Sequence, residues 1–515
     1  MTTARAGHML ERARWAAGAY ASFDAASVTA IVEAVVSVAE VNAQRYAEWA
    51  VTETEMGVVA DKVRKNRACS RGLLEHYRGQ DFVSPRLDEA RKIVELPTPA
   101  GVVLAVTPTT NPVATVYFKI LLALMTRNAI VIAPHPRAKE VCADAACTLG
   151  AAAVAAGAPD GIVQVVEQPS IPLVEALMSD ERTDVIVATG GTGVVRSAFS
   201  SGNPALGVGP GNVPVFVDAT ADVRAAAARI VDSKAFDNSV LCTNESVLIA
   251  EAAIADQLER ELARAGAYVL DGDAADRLRR YMFPAGHLNT EVVGKSAAWI
   301  AERAGFRVTP KTRLLVAPFD HVLGEEPFTH EKLSPVIGLT RVTDARRGIN
   351  AARAVVRIAG AGHSAAIHSE NPATIVEFAA RVPVLRVSVN VGNSTGSSGL
   401  DTNLAPSMTI GTGFVGRSSI GDNLEPKHLL NWTRIAYNSD AAVPMGSFAG
   451  LDPSQGAPAQ TPEYPVASND RGPVVPSIDR VLGVAQQRLS GFSNNQIRAE
   501  LRRIVVEELA QLSKG

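Results

Sequence analysis

Cysteine is scarce in this 515-residue chain, with Cys69, Cys142, Cys147 and Cys242 scattered and neither a CxxC pair nor a histidine at ligand spacing. That excludes a disulfide framework and a zinc site, no metal is expected, and a reducing cytosol is the natural setting. A basic excess is also missing. Fifty Lys and Arg against 53 Asp and Glu leave a net charge of −3, so phosphate-backbone binding lacks an electrostatic basis and nucleic acid is not an expected partner. No stretch of about 18 apolar residues runs free of charge or proline, and residues 1–20 carry Glu11 where a signal peptide would be apolar. Neither export nor a membrane span is expected.

What is present is an ordinary globular composition, 47% hydrophobic and 20% charged. The chain is too long for one core and should divide into two or three domains. From Ala25 to about Arg78, apolar residues recur every three and four positions, which predicts amphipathic helices. Short β-branched runs follow: VVLAVTP (102–108), AIVIAP (129–134), IVQVVE (162–167), DVIVATG (184–190) and VPVFVD (213–218). Helical stretches at 116–125 and 138–156 lie between them, so a parallel sheet wrapped by helices is expected. A second α/β block starts near Ala221, with strands expected at 246–251, 313–318, 336–342, 364–369 and 385–391. Residues 438–476 hold seven prolines and read as a linker. Beyond it, 477–489 and 494–512 are again helical in period.

Two local patterns carry chemistry. Cys242 lies in a polar, turn-prone loop directly before the β-forming run SVLIAE, which exposes a thiol beside a rigid scaffold, whereas Cys69, Cys142 and Cys147 sit within helical patterns. Thr189, Gly190, Gly191, Thr192 and Gly193 follow a strand and precede the helical VVRSAF, so bare amides at a helix start can face a pyrophosphate. The run does not complete GxGxxG, because Arg196 takes the third glycine's place, and a plain tight turn remains the alternative.

The strings GVVLAVTPTTNP, IVIAPHPRAKE, ATGGTGVVRSAFSSGNPALGVGPGNVPVFVD and FDNSVLCTNESVLI occur here in one order, followed by NTEVVGKSAAWIAERAGF, HEKLSPVIGL and DNLEPKHLLNW. They resemble the aldehyde dehydrogenase half of bifunctional aldehyde-alcohol dehydrogenases and their CoA-acylating relatives, from about Ala25 to Tyr437. The resemblance implies an α/β aldehyde dehydrogenase fold, with a Rossmann-like NAD-binding domain and an α/β catalytic domain. It implies Cys242 as nucleophile and Asn111 as oxyanion donor beside the Cys242 N–H; a helix-capping Asn111 is the alternative. Thr109 and Gly209 fall with the cofactor site, Pro134, His135 and Arg137 at the adenosine ribose, and Glu331 at the nicotinamide ribose, where a surface ion pair is the alternative. Arg137 would also tolerate a 2′-phosphate, so NADP is not excluded. His363 falls near acyl transfer, a structural histidine being the alternative.

Hydrolytic aldehyde dehydrogenases activate water with a glutamate in an ELGGK string, and the corresponding stretch here, LGVGPGN (206–212), holds no carboxylate. Without a general base, water attack loses roughly 10²- to 10⁴-fold, whereas a CoA thiol needs less help. Glu245 is the nearest acidic rival, with a capping or surface role expected for it. The expectation is therefore oxidation of acetaldehyde or propionaldehyde with NAD and CoA to acyl-CoA. Sulfoacetaldehyde, a hydrolytic enzyme and an inactive scaffold are the alternatives.

The expected divisions are 1–219 for the N-terminal helices and NAD-binding domain, 220–410 for the catalytic domain and 411–437 for a return segment and oligomerisation element. The linker 438–476 and the helical tail 477–515 follow. In the tail, Ile497, Leu501, Ile504, Val505, Leu509 and Leu512 share one helical face. Tethered to a Pro-rich linker, such a helix resembles the encapsulation peptides that microcompartment enzymes lay into shell-protein grooves; a helix completing the enzyme's own dimer or tetramer is the alternative.

Overall fold

The structure, a computed structural model, describes residues 2–465 apart from 449 and 459. Helices open the chain at Thr2–Tyr20, Ala25–Val41, Ala43–Thr54 and Val59–Arg67. The second buries Val28, Ile31, Val32, Val35, Val36 and Ala39, the stripe that the apolar spacing predicts, and Asp24 caps it by accepting the Ser27 N–H at 2.8 Å. The helix Thr2–Tyr20 lies upstream of the segment read as helical.

Three sheets follow. The first is all parallel, in the order Val163–Val165, Ala129–Pro134, Val102–Thr107, Val185–Thr189, Ala205–Val208. Val102–Thr107 and Ala129–Pro134 are buried at every residue, as β-branched runs covered by helices on both faces must be. The helix Pro112–Met125, buried throughout, connects them.

The second sheet has seven parallel strands, in the order Ala267–Val269, Leu314–Pro318, Val336–Val342, Glu245–Glu251, Val213–Val217, Ala365–His368, Val387–Val389. Here the structure departs from the sequence reading. Val213–Val217, grouped above with the first block, lies inside the second sheet, with Val215 opposite both Leu248 and Ala366. An apolar run suits the centre of either sheet, and only the crossover decides which neighbours it finds.

A small antiparallel sheet joins Arg86–Asp88, Ile93–Pro99 and the returning strand Leu430–Ala436, in that order. Through residue 462 the Pro-rich segment is bonded to the body. The Lys92 ammonium donates to the carbonyls of Asn438, Asp440 and Val443, the Asp24 N–H to Gln455 O at 2.7 Å, and the Asp160 N–H to Pro462 O at 2.9 Å. Backbone carbonyls, rather than apolar burial, tie it down. The tail 477–515 lies outside the described residues. Among the described residues, no single helix is long and apolar enough to cross a membrane.

Candidate active site

The loops that leave the carboxyl ends of the first sheet's strands meet loops of the second sheet around a cleft of about 300 Å³. Pro108 to Asn111, Thr189 to Gly191 and Val208 to Pro210 form one side, and Val240 to Thr243, Glu331 and Leu333 the other. Cys242 is half-buried there. The loop that delivers it is unusual: Asp237, Asn238 and Ser239 have φ of 49°, 48° and 63°, three successive left-handed residues without a glycine. Each such residue costs about 1–3 kcal/mol and persists only where its surroundings hold it.

Those surroundings are polar and buried. The Asp237 carboxylate accepts the Val58 N–H at 2.6 Å, the Lys62 ammonium at 3.1 Å and the Lys65 ammonium, while its own N–H donates to Asp61 at 2.7 Å. Asn238 donates to Gly294 O at 2.9 Å. Gly57, at φ 84°, passes so close that a Cβ there would lie 2.0 Å from Asp237 Oδ1, which only glycine avoids.

Asn111 precedes the helix Pro112–Met125, yet its side chain makes no cap bond, which removes the capping alternative. Its Oδ1 accepts from Lys65, and its Nδ2 donates to Val240 O at 3.3 Å and Thr110 Oγ1 at 3.2 Å. Lys62, Lys65 and Asp237 thus brace the candidate site from behind its lining, and sequence reading missed them. Two lysines three apart in a charged helix look like a solvated face, and nothing local reveals their burial at 3% and 1% exposure.

Burial pushes the Cys242 thiol up to about 12; Glu331 adds to the rise, while its own backbone N–H and Arg386 oppose it. Burial likewise raises Glu331 to about 8, against Lys234, the Gly211 N–H and Lys332. Glu331 lines the cleft, so it is not a surface ion-pair residue. Glu245, expected at a cap or the surface, is fully buried, and its two oxygens accept Ser233 Oγ at 2.8 Å and the Asn393 N–H at 2.7 Å. Both oxygens are thus engaged, and Glu245 is not among the residues lining the cleft.

His363 does not line the cleft. It lies against Gly211, where a Cβ would meet Cys242 O at 2.0 Å and His363 Cε1 at 3.4 Å. Burial and the Arg386 guanidinium lower it to about 3, so the imidazole is neutral; Nδ1 pairs with Ser364 Oγ at 2.9 Å and Nε2 has no partner.

Of the expected cofactor residues, Thr109, His135, Thr189, Gly190, Gly191, Gly209 and Glu331 line the cleft. Gly191 starts the helix Thr192–Ser200 with no side-chain cap, so its first N–H groups suit the oxygens of a pyrophosphate. A Cβ at Gly191 or Gly209 would meet nothing within 4 Å, leaving open space for a ligand. Thr192 and Gly193 lie one step beyond, on the exposed first turn, and Pro134 is buried at its strand end. Arg137 turns away: it lines a neighbouring pocket with Lys295, Trp299 and Arg303 and donates to Thr54 O at 3.4 Å. The Pro136–Ala138 turn, in which His135 Nδ1 accepts the Arg137 N–H, redirects the side chain.

A parallel sheet that carries its cleft outside the carboxyl ends of its strands, at the point where strand order reverses, is a doubly wound nucleotide-binding fold. Within that class, the chain belongs to the aldehyde dehydrogenase family, whose model matches residues 1–401. It is 37% identical over 438 residues to the bifunctional aldehyde-alcohol dehydrogenase of Escherichia coli, an alignment covering 84% of this chain and 49% of that protein. The chain thus spans about half the length of this curated relative. It superposes on the crystal structure of an acetylating aldehyde dehydrogenase from Geobacillus thermoglucosidasius with a TM-score of 0.84 at 36% identity, covering 85% of this chain and 97% of that one. A Rhodopseudomonas palustris propionaldehyde dehydrogenase, crystallised with bound CoA and an acylated cysteine, matches with a TM-score of 0.75 at 27% identity, over 84% of this chain and 97% of that one.

Proposed function

We propose that the protein is a CoA-acylating aldehyde dehydrogenase, converting a short-chain aldehyde, NAD and CoA into acyl-CoA and NADH. The observation that carries this reading is the composition of the cleft: Cys242 and Asn111 share it, while Gly209 and Pro210 occupy the stretch in which a hydrolytic enzyme holds its glutamate. Glu331 is the one carboxylate among the described residues lining it.

Cys242 gives up its thiol proton to solvent, the thiolate Sγ adds to the aldehyde carbon, and the carbonyl oxygen becomes an oxyanion held by Asn111 Nδ2 and the Cys242 N–H. The amides at Gly190 and Gly191 would hold the NAD pyrophosphate and Glu331 a ribose, and NAD bound there would supply the hydride acceptor. Loss of hydride leaves an acyl thioester on Cys242. The CoA thiolate then attacks that carbonyl, and Cys242 departs as thiolate with the acyl group on CoA.

No Lys or Arg lines the cleft among the described residues, which favours acetaldehyde or propionaldehyde over anionic sulfoacetaldehyde. Assay of the three aldehydes, each with and without CoA and with NAD or NADP, tests the proposal. CoA-dependent NADH formation is expected; formation undiminished by leaving CoA out identifies a hydrolytic enzyme instead.

We also infer a homodimer or homotetramer assembled through 411–437, because Leu430–Ala436 is an edge strand carrying exposed Ile435, and Phe414, Val415 and Tyr437 of the same stretch are exposed as well. The tail 477–515 is proposed as an encapsulation peptide for microcompartment shell proteins, on its sequence pattern alone.

A further inference from the structure

We propose that Lys65 is a positioning residue that holds both donors of the oxyanion site through one buried ammonium. The proposal rests on the reading of Cys242 and Asn111 given above. Lys65 Nζ touches two acceptors, Asn111 Oδ1 and Asp237 Oδ2. The first contact fixes which way the Asn111 amide faces. With its oxygen committed to a cation, the amide is fixed with Nδ2 toward Val240 O and Thr110 Oγ1, both of which line the cleft, and the cation draws electron density from the amide, which strengthens its N–H groups as donors.

The second contact acts on the other donor. Asp237 begins the left-handed triplet Asp237–Ser239, and Cys242 follows that triplet by three residues, so the path of this turn sets where the Cys242 N–H points. Lys62 shares the Asp237 carboxylate and donates to Thr110 O at 3.3 Å, one residue from Asn111. Both routes from Lys65 therefore end at the position a carbonyl oxygen would take. Neither lysine is among the charges that shift the Cys242 thiol. The arrangement thus bears on the donors to the reacting carbonyl's oxygen rather than on the charge environment of the thiol.

The full-length enzyme carrying Lys65→Met, Asn111→Ala or both tests this. Steady-state turnover, KM for NAD, and alkylation of Cys242 by iodoacetamide are measured for each. Alkylation builds no oxyanion, so it reports the sulfur alone. Lys65→Met is expected to lower kcat about 10²-fold, the size of losing one oxyanion donor. KM for NAD and the alkylation rate should stay within about twofold, and the double variant should fall below Asn111→Ala by clearly less than the full loss that Lys65→Met causes alone, because the route through Asn111 is already gone and only the route through Asp237 is left to lose. Losses that multiply in the double variant, alkylation that falls in step with kcat, or full turnover in Lys65→Met would each overturn the proposal. Should Lys65→Met not fold, Lys65→Gln is read by the same measurements and the same criteria. If Asn111→Ala itself keeps full turnover, the oxyanion assignment fails; if only Lys65→Met does, the fault lies with the positioning role.

Discussion

Cys242 sits where its thiol holds its proton. Burial is the largest cause of its rise to about 12, and Glu331 is the second. The neighbour titrates as well, at about 8, so its carboxyl is mostly neutral below that pH and opposes the thiolate only above it. Replacing Glu331 by Gln should therefore speed iodoacetamide alkylation of Cys242 near pH 9.5, where the carboxylate is charged, and leave it unchanged near pH 6.5. Peptide mass separates this label from that on exposed Cys147. Equal acceleration at both pH values would contradict the assignment.

At the scale of elements, the loop before Cys242 shows how a strained turn is retained. Its left-handed residues are held by side chains from the helix Val59–Arg67 and by the backbone of Val58, and Gly57 makes room for Asp237. The strand Leu430–Ala436 presents the opposite case, an unpaired edge left in solvent. Phe414, in the same return segment, is 92% exposed next to the exposed Val415. If the proposed oligomer forms through this segment, Phe414→Glu should shift it toward monomer, read as mass by light scattering after gel filtration. An unchanged mass with an unchanged melting temperature removes this face from the interface.

For the whole molecule, two α/β sheets place one cleft where the loops of both can line it. The tail adds a separate question of destination. Residues 477–515 fused to a fluorescent protein should concentrate in shells in a shell-producing cell; diffuse fluorescence there would leave self-association as the tail's role.

Much of this was legible in sequence because it is local. Buried parallel strands read as β-branched runs, the stripe of Ala25–Val41 as three- and four-residue spacing, and Cys242 as a thiol in a turn before a strand. The family strings located Asn111, Glu331 and the glycines of the cleft. Tertiary structure alone decided the rest, because it depends on which distant segments meet. It moved Val213–Val217 into the second sheet, turned Arg137 out of the cleft and His363 behind Gly211, and buried Glu245. Above all it brought Lys62 and Lys65 some 175 residues along the chain to Asp237, where burial turns two ordinary helix lysines into the support of the Cys242 loop. Charge pattern along a chain does not report solvent exposure, and exposure separates a solvated lysine from one that holds an active site together.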